Sequence, residues 1–377
     1  MKICTITCHD VYNYGASLQA YALMRYLNTL NHDTSIIDYK PEYLSRRYNC
    51  KYIDPQSKYY KICQKYPLLY YLYILKNHIK FIPWYPRKKA FDKFTKDYLS
   101  LTPRYNNFNE LEKNPPVADL YIAGSDQIWN SLISNGKDPA FYLSFIKNKR
   151  IKSSYAASFG ISSIPQEYKD FVKSQLINIE HISVREKTAV LIVEELGLKA
   201  KQVLDPVFLL DKDEWISLMP QKITKDKYLL VYDFVHDDPN IELLAHKIAE
   251  ERNLKIYSIN DYSKINYADK NISNAGPLDF LYYLYHADAI ISSSFHATVF
   301  SIIFQKNFYT FQVARNKNKS RMVDLLQMFN LKDRFIDNID DYKKHECINY
   351  DKLQEIISGK IDDSKTFIYE IINGINK

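Results

Sequence analysis

A chain of 377 residues with 46% hydrophobic and 25% charged side chains has the balance of a folded globular protein, with room for two domains or one large one. That balance excludes a peptide hormone, a fibre or a disordered tail, and with only 8 Gly no GxGxxG or GxxxxGK[ST] phosphate loop can be written. The formal charge of +7 is uneven: Lys40 to Lys113 carries 16 Lys and Arg against 6 Asp and Glu, or +10, which leaves -3 for the remainder.

In chain order, Lys2 to Thr7 reads as a β-branched strand. Ala20, Leu23, Leu27 and Leu30 then lay an apolar stripe on a helix, and Thr34 to Asp38 gives a second strand. The basic stretch follows, with 12 Tyr between Tyr43 and Tyr105 and the segment IPWYPRKK, in which Trp84, Arg87, Lys88 and Lys89 read as one basic aromatic surface. Its short helical patterns, broken by Pro67, Pro83, Pro86 and Pro103, predict a helical insertion. Such a surface suits an anionic partner or a membrane face, the plainer reading being a helical subdomain with solvated lysines. Its longest apolar run, Leu68 to Leu75, is eight residues, far short of the roughly 20 that a spanning helix needs.

Alternation resumes with strands at Asp119–Ala123, Ile151–Ala157 and His181–Val184 and helices from about Pro165 and from Glu186 to Leu196. Pro206 in VLDPVFLL breaks the pattern, and from Lys227 it starts again: strand KYLLVYDF, helix Ile241–Arg252, strand KIYSIN, helix Pro277–His286, strand AIISSS, helix His296–Gln305 and strand FYTF. A helix from Asp363 to Asn376 ends the chain, placed to reach back across the first domain. These elements predict an α/β protein of two doubly wound parallel domains, 1–205 with the insertion at about 40–113 and 206–377, facing a cleft at the carboxyl ends of their strands.

Four stretches carry candidate chemistry. At AIISSSFHATVF a buried strand ends in Ser292, Ser293 and Ser294 and a helix starts beside His296, so hydroxyls, N–H groups and an imidazole can meet an anion. The plainer alternative is that Ser294 is only a helix cap. Arg185, at the end of HISV, can fork onto a carboxylate or phosphate, or pair with Glu186 or a carboxylate at the hinge. Asn13, Tyr14 and Gly15 precede the first helix, with Gln19 one turn in, and Gly15 permits a ligand to come close. GSDQIWN gathers Asp126, Gln127, Trp129 and Asn130 at a strand end, as a sugar face would want, or as a capped turn. Cys4, Cys8 and His9 lack a second pair of ligands, so no metal is expected, and the odd set of five Cys with no apolar leader fits a reducing, cytoplasmic setting.

Together NYGASLQAYAL, IIDY, GSDQIWN, SYAASFG, SVREKTA, VLDPVFLL, GPLDFLYYLYHADAIISSSFHATVFSIIF and SRMVDLLQMFNLKDR, in that order from Asn13 to Arg334, resemble the polysaccharide pyruvyl transferase family. The resemblance implies two Rossmann-like domains in a GT-B-like arrangement. It also implies phosphoenolpyruvate as donor, no separate cofactor, and a sugar of a capsule or exopolysaccharide as acceptor, which becomes a pyruvate ketal as phosphate leaves. His296 matches the family's pre-helical His and is the expected proton-transfer group, with Asp126 as the second catalytic residue. Some members have Arg where this chain has Ser294, which leaves Arg185 and Arg321 as the guanidiniums for the donor beside the three serines. Asn13, Tyr14, Gly15, Gln19, Gln127, Trp129 and Asn130 are then expected on the acceptor side. A nucleotide-sugar glycosyltransferase and a non-catalytic glycan-binding assembly subunit are the alternatives. The expected partners are a sugar, carried on a polyprenyl diphosphate in one version, and the anionic inner leaflet of the plasma membrane against residues 40–113, with no nucleic acid.

Overall fold

The computed structural model describes residues 1–44, 48–53, 57–221, 224–234, 238–261, 263–312, 320–342 and 347–375. β1 (Lys2–Ile6) is the β-branched run at the start. α1 (Tyr14–Thr29) follows, capped by Asn13, whose side chain accepts from the Ala16 N–H, and β2 (Asp33–Ile36) lies parallel to β1. The insertion forms α2 (Lys58–Lys65), α3 (Pro67–Phe81), α4 (Tyr85–Tyr98) and α5 (Phe108–Lys113). Pro sits in the first turn of α3 and of α4, where a missing N–H breaks no helical bond. β3 (Leu120–Ala123), β4 (Lys152–Ser154), α6 (Gln166–Leu176), β5 (Ser183–Val184), α7 (Lys187–Glu195) and β6 (Lys201–Gln202) complete the first half.

The first sheet runs β2-β1-β3-β4, all parallel, and parallel bridges Ser153–His181 and Ala157–Val184 continue it onto the β5-β6 pair. Beyond β2, bridges at Ile36–Leu101 and Tyr39–Tyr105 add the end of the insertion as an edge. Strand order therefore reverses between β1 and β3, the switch point at which open parallel sheets bind ligands.

A 3-10 turn at Pro206–Leu209 and α8 (Lys212–Ser217) lead into the second half: β7 (Tyr228–Tyr232), α9 (Pro239–Arg252), β8 (Lys255–Ile259), β9 (Lys270–Ile272), α10 (Pro277–His286), β10 (Ala289–Ser292), α11 (Phe295–Ile303), β11 (Phe308–Thr310), α12 (Ser320–Met328) and α13 (Gln354–Ile375). Its sheet is parallel in the order β11-β10-β7-β8-β9, with the switch point between β7 and β10. The edge strands β6 and β9 are not foreseen by the hydrophobic pattern, being two and three residues long with polar, part-exposed members. α13 starts at Gln354 rather than Asp363.

One apolar cluster crosses the two halves, joining Leu18, Phe91 and Tyr21 to Trp215, Phe280 and Phe300. α1 lies within it and is buried on nearly every side, against the Pro206–Leu209 turn, α10 and α11, which is why its apolar residues exceed a single stripe. α13 reaches the first half through Phe367, Ile368 and Ile371 in the same cluster, and Ser364 accepts the Leu204 N–H at 2.9 Å.

Candidate active site between the two sheets

The fully buried strand β10 delivers the serine loop to the second sheet's switch point. There two of the three hydroxyls donate to protein groups and the third accepts. Ser292 donates to the Tyr232 carbonyl at 2.6 Å, Ser293 donates to the Asp233 carboxylate, and Ser294 caps α11 by accepting the Ala297 N–H at 3.4 Å. The expected hydroxyl contacts to a donor are thereby corrected for Ser292 and Ser293, whose O–H groups shape the turn; what the loop offers an anion is the amino-terminal end of α11 with the Ser294 O–H beside it.

His296 is in the first turn of α11 and is 7% exposed. Its ring lies on Gly15 at the start of α1, so closely that a Cβ at Gly15 would stand 1.9 Å from Nδ1. The close approach that Gly15 permits is therefore made by His296. On the ring's other side Nε2 is 3.3 Å from Oδ2 of Asp205.

Asp205 is the residue at the crossing between the halves, and it is buried. Oδ1 accepts the Val207 N–H at 3.2 Å and starts the 3-10 turn, while Oδ2 accepts Arg185 NH1 at 2.7 Å and the Ser125 hydroxyl at 3.0 Å. Burial alone would push this carboxyl up. His296 and Arg185 outweigh burial and hold it well below the ordinary aspartate value.

Arg185, at the end of β5, spends one nitrogen on Asp205 and stacks over Phe295, its Cζ 4.2 Å from the ring centroid. Nε and Glu186 Oε2 face each other at 3.8 Å, too far for a hydrogen bond, and NH2 has no hydrogen-bond partner among the described residues. Glu186 is held by its other oxygen, which accepts Ser158 Oγ at 2.7 Å and the Gly160 N–H at 3.2 Å. Burial would pull the Arg185 guanidinium down, but Asp205, Glu186 and Asp126 raise it. Arg321, from the first turn of α12, feels the opposite balance: burial and then Arg185 lower it, against weaker help from Glu186 and Asp126. With its amide oxygen turned toward α12, Gln127 accepts from the Arg321 guanidinium at 3.1 and 3.3 Å.

The structure thus brings together Gly15, Asp126, Gln127, Arg185, His296 and Arg321. Asp126 follows β3 with φ 74, a left-handed conformation unusual for a residue with a side chain, and its Oδ1 accepts its neighbour's N–H at 2.8 Å. Other residues expected on the acceptor side are corrected to structural roles. Trp129 is fully buried, stacks on Tyr142 and donates its indole N–H to the Phe141 carbonyl, so no ring face is left for a sugar. Tyr14 is buried between the halves, stacked on Phe280 with its hydroxyl donated to the Ala275 carbonyl. Gln19 is buried and donates to Thr7 Oγ1 and the Ala16 carbonyl, and Asn130 accepts the Leu132 N–H within its own turn. Asn13 is the α1 cap.

The sequence offers a carboxylate at the hinge as a partner for Arg185, and Asp205 is that partner; what sequence reasoning misses is its place beside His296 in the site. One signal was present: a carboxylate inside the apolar run VLDPVFLL must find charged or N–H partners when that run is buried. A second polar cluster at the carboxyl ends of β1 and β2 is also missed: His9 Nε2 lies 3.3 Å from Asp38 Oδ1, and Arg104 Nε donates to Asp38 Oδ2 at 2.9 Å.

The family model of the polysaccharide pyruvyl transferases matches residues 13–315, which include every residue of the cluster except Arg321. No curated protein matches the chain. Among solved structures, the S. aureus MnaA–UDP complex is similar at TM-score 0.52 with 10% identity, covering 100% of this chain and 97% of that one. The Rickettsia bellii UDP-N-acetylglucosamine 2-epimerase gives TM-score 0.48 at 11% identity over 100% and 97% of the two chains. The Neisseria meningitidis UDP-GlcNAc 2-epimerase bound to UDP-GlcNAc gives 0.47 at 10% over 100% and 94%. At such identities the likeness is one of fold, and it agrees with two doubly wound sheets in a GT-B-like pairing. With 303 consecutive residues, from 13 to 315, matched to one family model, the chain belongs to the polysaccharide pyruvyl transferase family.

Proposed function

We propose that this chain transfers a pyruvyl group from phosphoenolpyruvate to a sugar of a surface polysaccharide or its lipid-linked precursor, on the cytoplasmic side, with no separate cofactor. The observation that carries the reading is the buried Arg185, whose NH2 has no hydrogen-bond partner among the described residues, beside Arg321 and His296. An unpaired guanidinium N–H in a buried site is costly and is satisfied by an oxyanion. Phosphoenolpyruvate brings two oxyanionic groups, and the second can lie at the amino-terminal end of α11.

In this reading His296 gives a proton to the methylene carbon, and Asp205 steadies the imidazolium form through the 3.3 Å contact. Protonation leaves an oxocarbenium-like carbon bonded to the phosphate oxygen. One sugar hydroxyl adds there and passes its proton to Asp126. Phosphate then leaves with the carbon–oxygen bonding pair, and a second hydroxyl closes the ketal. Of the two hydroxyl protons, one restores His296 and one departs with phosphate, so the enzyme returns to its starting state.

The test is phosphate release from phosphoenolpyruvate with a panel of lipid-linked and nucleotide-linked sugars, beside calorimetric titration of phosphoenolpyruvate and of UDP-sugars. Acceptor-dependent phosphate release is expected. Arg185→Ala should weaken phosphoenolpyruvate binding by about 1.5–3 kcal/mol, and Arg185→Lys should restore little because an ammonium cannot fork. Binding of a UDP-sugar without any binding of phosphoenolpyruvate would favour a nucleotide-sugar glycosyltransferase instead.

A further inference from the structure

Helix α3 has no buried residue, although it is one of the most apolar stretches in the chain. Tyr70, Tyr73, Ile74, Asn77 and Phe81 turn inward and are half-buried. On the opposite side Leu68, Leu72, Leu75, Ile79 and Ile82 follow one another at spacings of 4, 3, 4 and 3, a continuous ridge along the helix and the residue after it. Their exposures are 71%, 52%, 56%, 60% and 58%, so the ridge is bare over its whole length. Tyr71, at 67%, widens it. A contiguous bare apolar surface of this kind marks an interaction site.

Charge selects the occupant. From Ser57 to Phe91 the chain has eight basic residues and no acidic one. Arg87 is buried, but Lys58, Lys61, Lys65, Lys76, Lys80 and Lys89 are exposed around the ridge. A second copy would bring the same positive charge against itself, and the heptad-like spacing offers no acidic residue to offset it. An anionic bilayer meets both requirements: acyl chains for the ridge and headgroups for the lysines. Tyr59, Tyr66 and Tyr85, each exposed at the margin, have the ring and hydroxyl that suit the interfacial layer. None of the described helices is long and apolar enough to cross a membrane, so such contact is with the surface.

We propose that α3 is a surface anchor for an anionic lipid bilayer, its Leu68–Ile82 ridge entering the acyl boundary while the lysines of α2, α3 and α4 engage the headgroups. The inference needs no assumption about the reaction.

The experiment is sedimentation of the full chain with vesicles of phosphatidylcholine alone and with vesicles in which part of it is replaced by phosphatidylglycerol. Binding is expected only to the second kind and should weaken as salt shortens the Debye length. Leu72→Ser/Leu75→Ser/Ile79→Ser should melt at the wild-type temperature, since the three side chains are exposed, and should bind at least about tenfold more weakly. Lys76→Gln/Lys80→Gln should lose about fivefold in affinity per lysine at low salt and little at high salt. No binding at low salt, equal binding to neutral vesicles, or wild-type binding by the triple serine variant would each overturn the anchor. A dimer in light scattering that the serine variant dissolves, without vesicle binding by the wild type, would assign the ridge to a second copy and overturn it as well.

Discussion

His296 is held from two sides, by Gly15 under the ring and by Asp205 at Nε2, so its position is set by groups that the chain brings from 281 residues before and 91 residues before it. His296→Ala should lose at least about 100-fold in turnover, and because it takes a partner from the buried Asp205 its melting temperature should fall as well. A near wild-type rate would remove it from proton transfer. Asp205 gives a pH prediction. Its folded carboxyl titrates below the ordinary value of 3.8, so its contribution to stability is complete above about pH 4 and is lost as the pH falls toward the folded value. Melting temperature should therefore drop more steeply below about pH 4 in the wild type than in Asp205→Asn, with part of the remaining slope coming from Asp38, which is also lowered. Equal slopes would show that the carboxylate is not what His296 and Arg185 stabilise. His296 is legible in the sequence because an apolar strand, a polar loop and an apolar helix are neighbours in the chain. Asp205 is legible only as a hinge carboxylate open to Arg185; its contacts with Ser125, 80 residues before it, and with His296, 91 residues after it, arise only once both sheets exist. Trp129 is misleading for a related reason: an indole beside polar residues reads alike in sequence whether its ring faces solvent or, as here, Tyr142.

At the scale of elements, α4 illustrates how local composition misleads. IPWYPRKK reads as one basic patch, yet Arg87 is 1% exposed and forms an ion pair with Asp261 at 2.7 Å. NH2 of Arg87 also donates to the Tyr12 carbonyl at 2.9 Å, and Tyr232 donates to the other Asp261 oxygen at the same distance. Arg87 is therefore a bolt between the insertion, α1's approach and the second sheet, while Lys88 and Lys89 stay outside it. Removing one partner of a buried pair strands the other, so Arg87→Gln should cost about 3–5 kcal/mol of stability. Lys89→Gln should cost almost none. Comparable denaturation midpoints for the two variants would refute the bolt. The elements themselves were legible because each rests on local periodicity. α10 occupies the residues that the pattern predicts, Pro277 to His286, with Pro in its first turn and Gly276 before it. β9 and β6 were not, since short edge strands owe their pairing to a neighbour and carry almost no pattern of their own.

Across the whole molecule, the contacts between the halves are as dense as a core. Tyr14 stacks on Phe280 with centroids 4.5 Å apart and planes 3° from parallel, Trp215 meets Tyr21 and Phe300, and α13 returns to the first half. A single cooperative unfolding transition is expected, and scanning calorimetry that resolved two would show the halves to be separable. Gly15→Ala tests the same seam at its tightest point. The added methyl meets a ring that cannot swing aside while Asp205 holds Nε2, so the variant should lose about 1–3 kcal/mol of stability together with most of its turnover. Full activity in Gly15→Ala would mean that the two halves open readily enough to admit a methyl group. Asp205 sets a further constraint, on recombination. Exchanging halves between relatives invites a breakpoint at the crossover, yet a cut just after Asp205 parts the carboxylate from the turn that it starts and from His296, and a cut just before it parts the carboxylate from Arg185. Chimeras should be viable when both parents carry Gly15, Arg185, Asp205 and His296 and poorly soluble when one parent lacks a member, which expression trials of paired halves would show, so that four dispersed codons behave as a single linked trait.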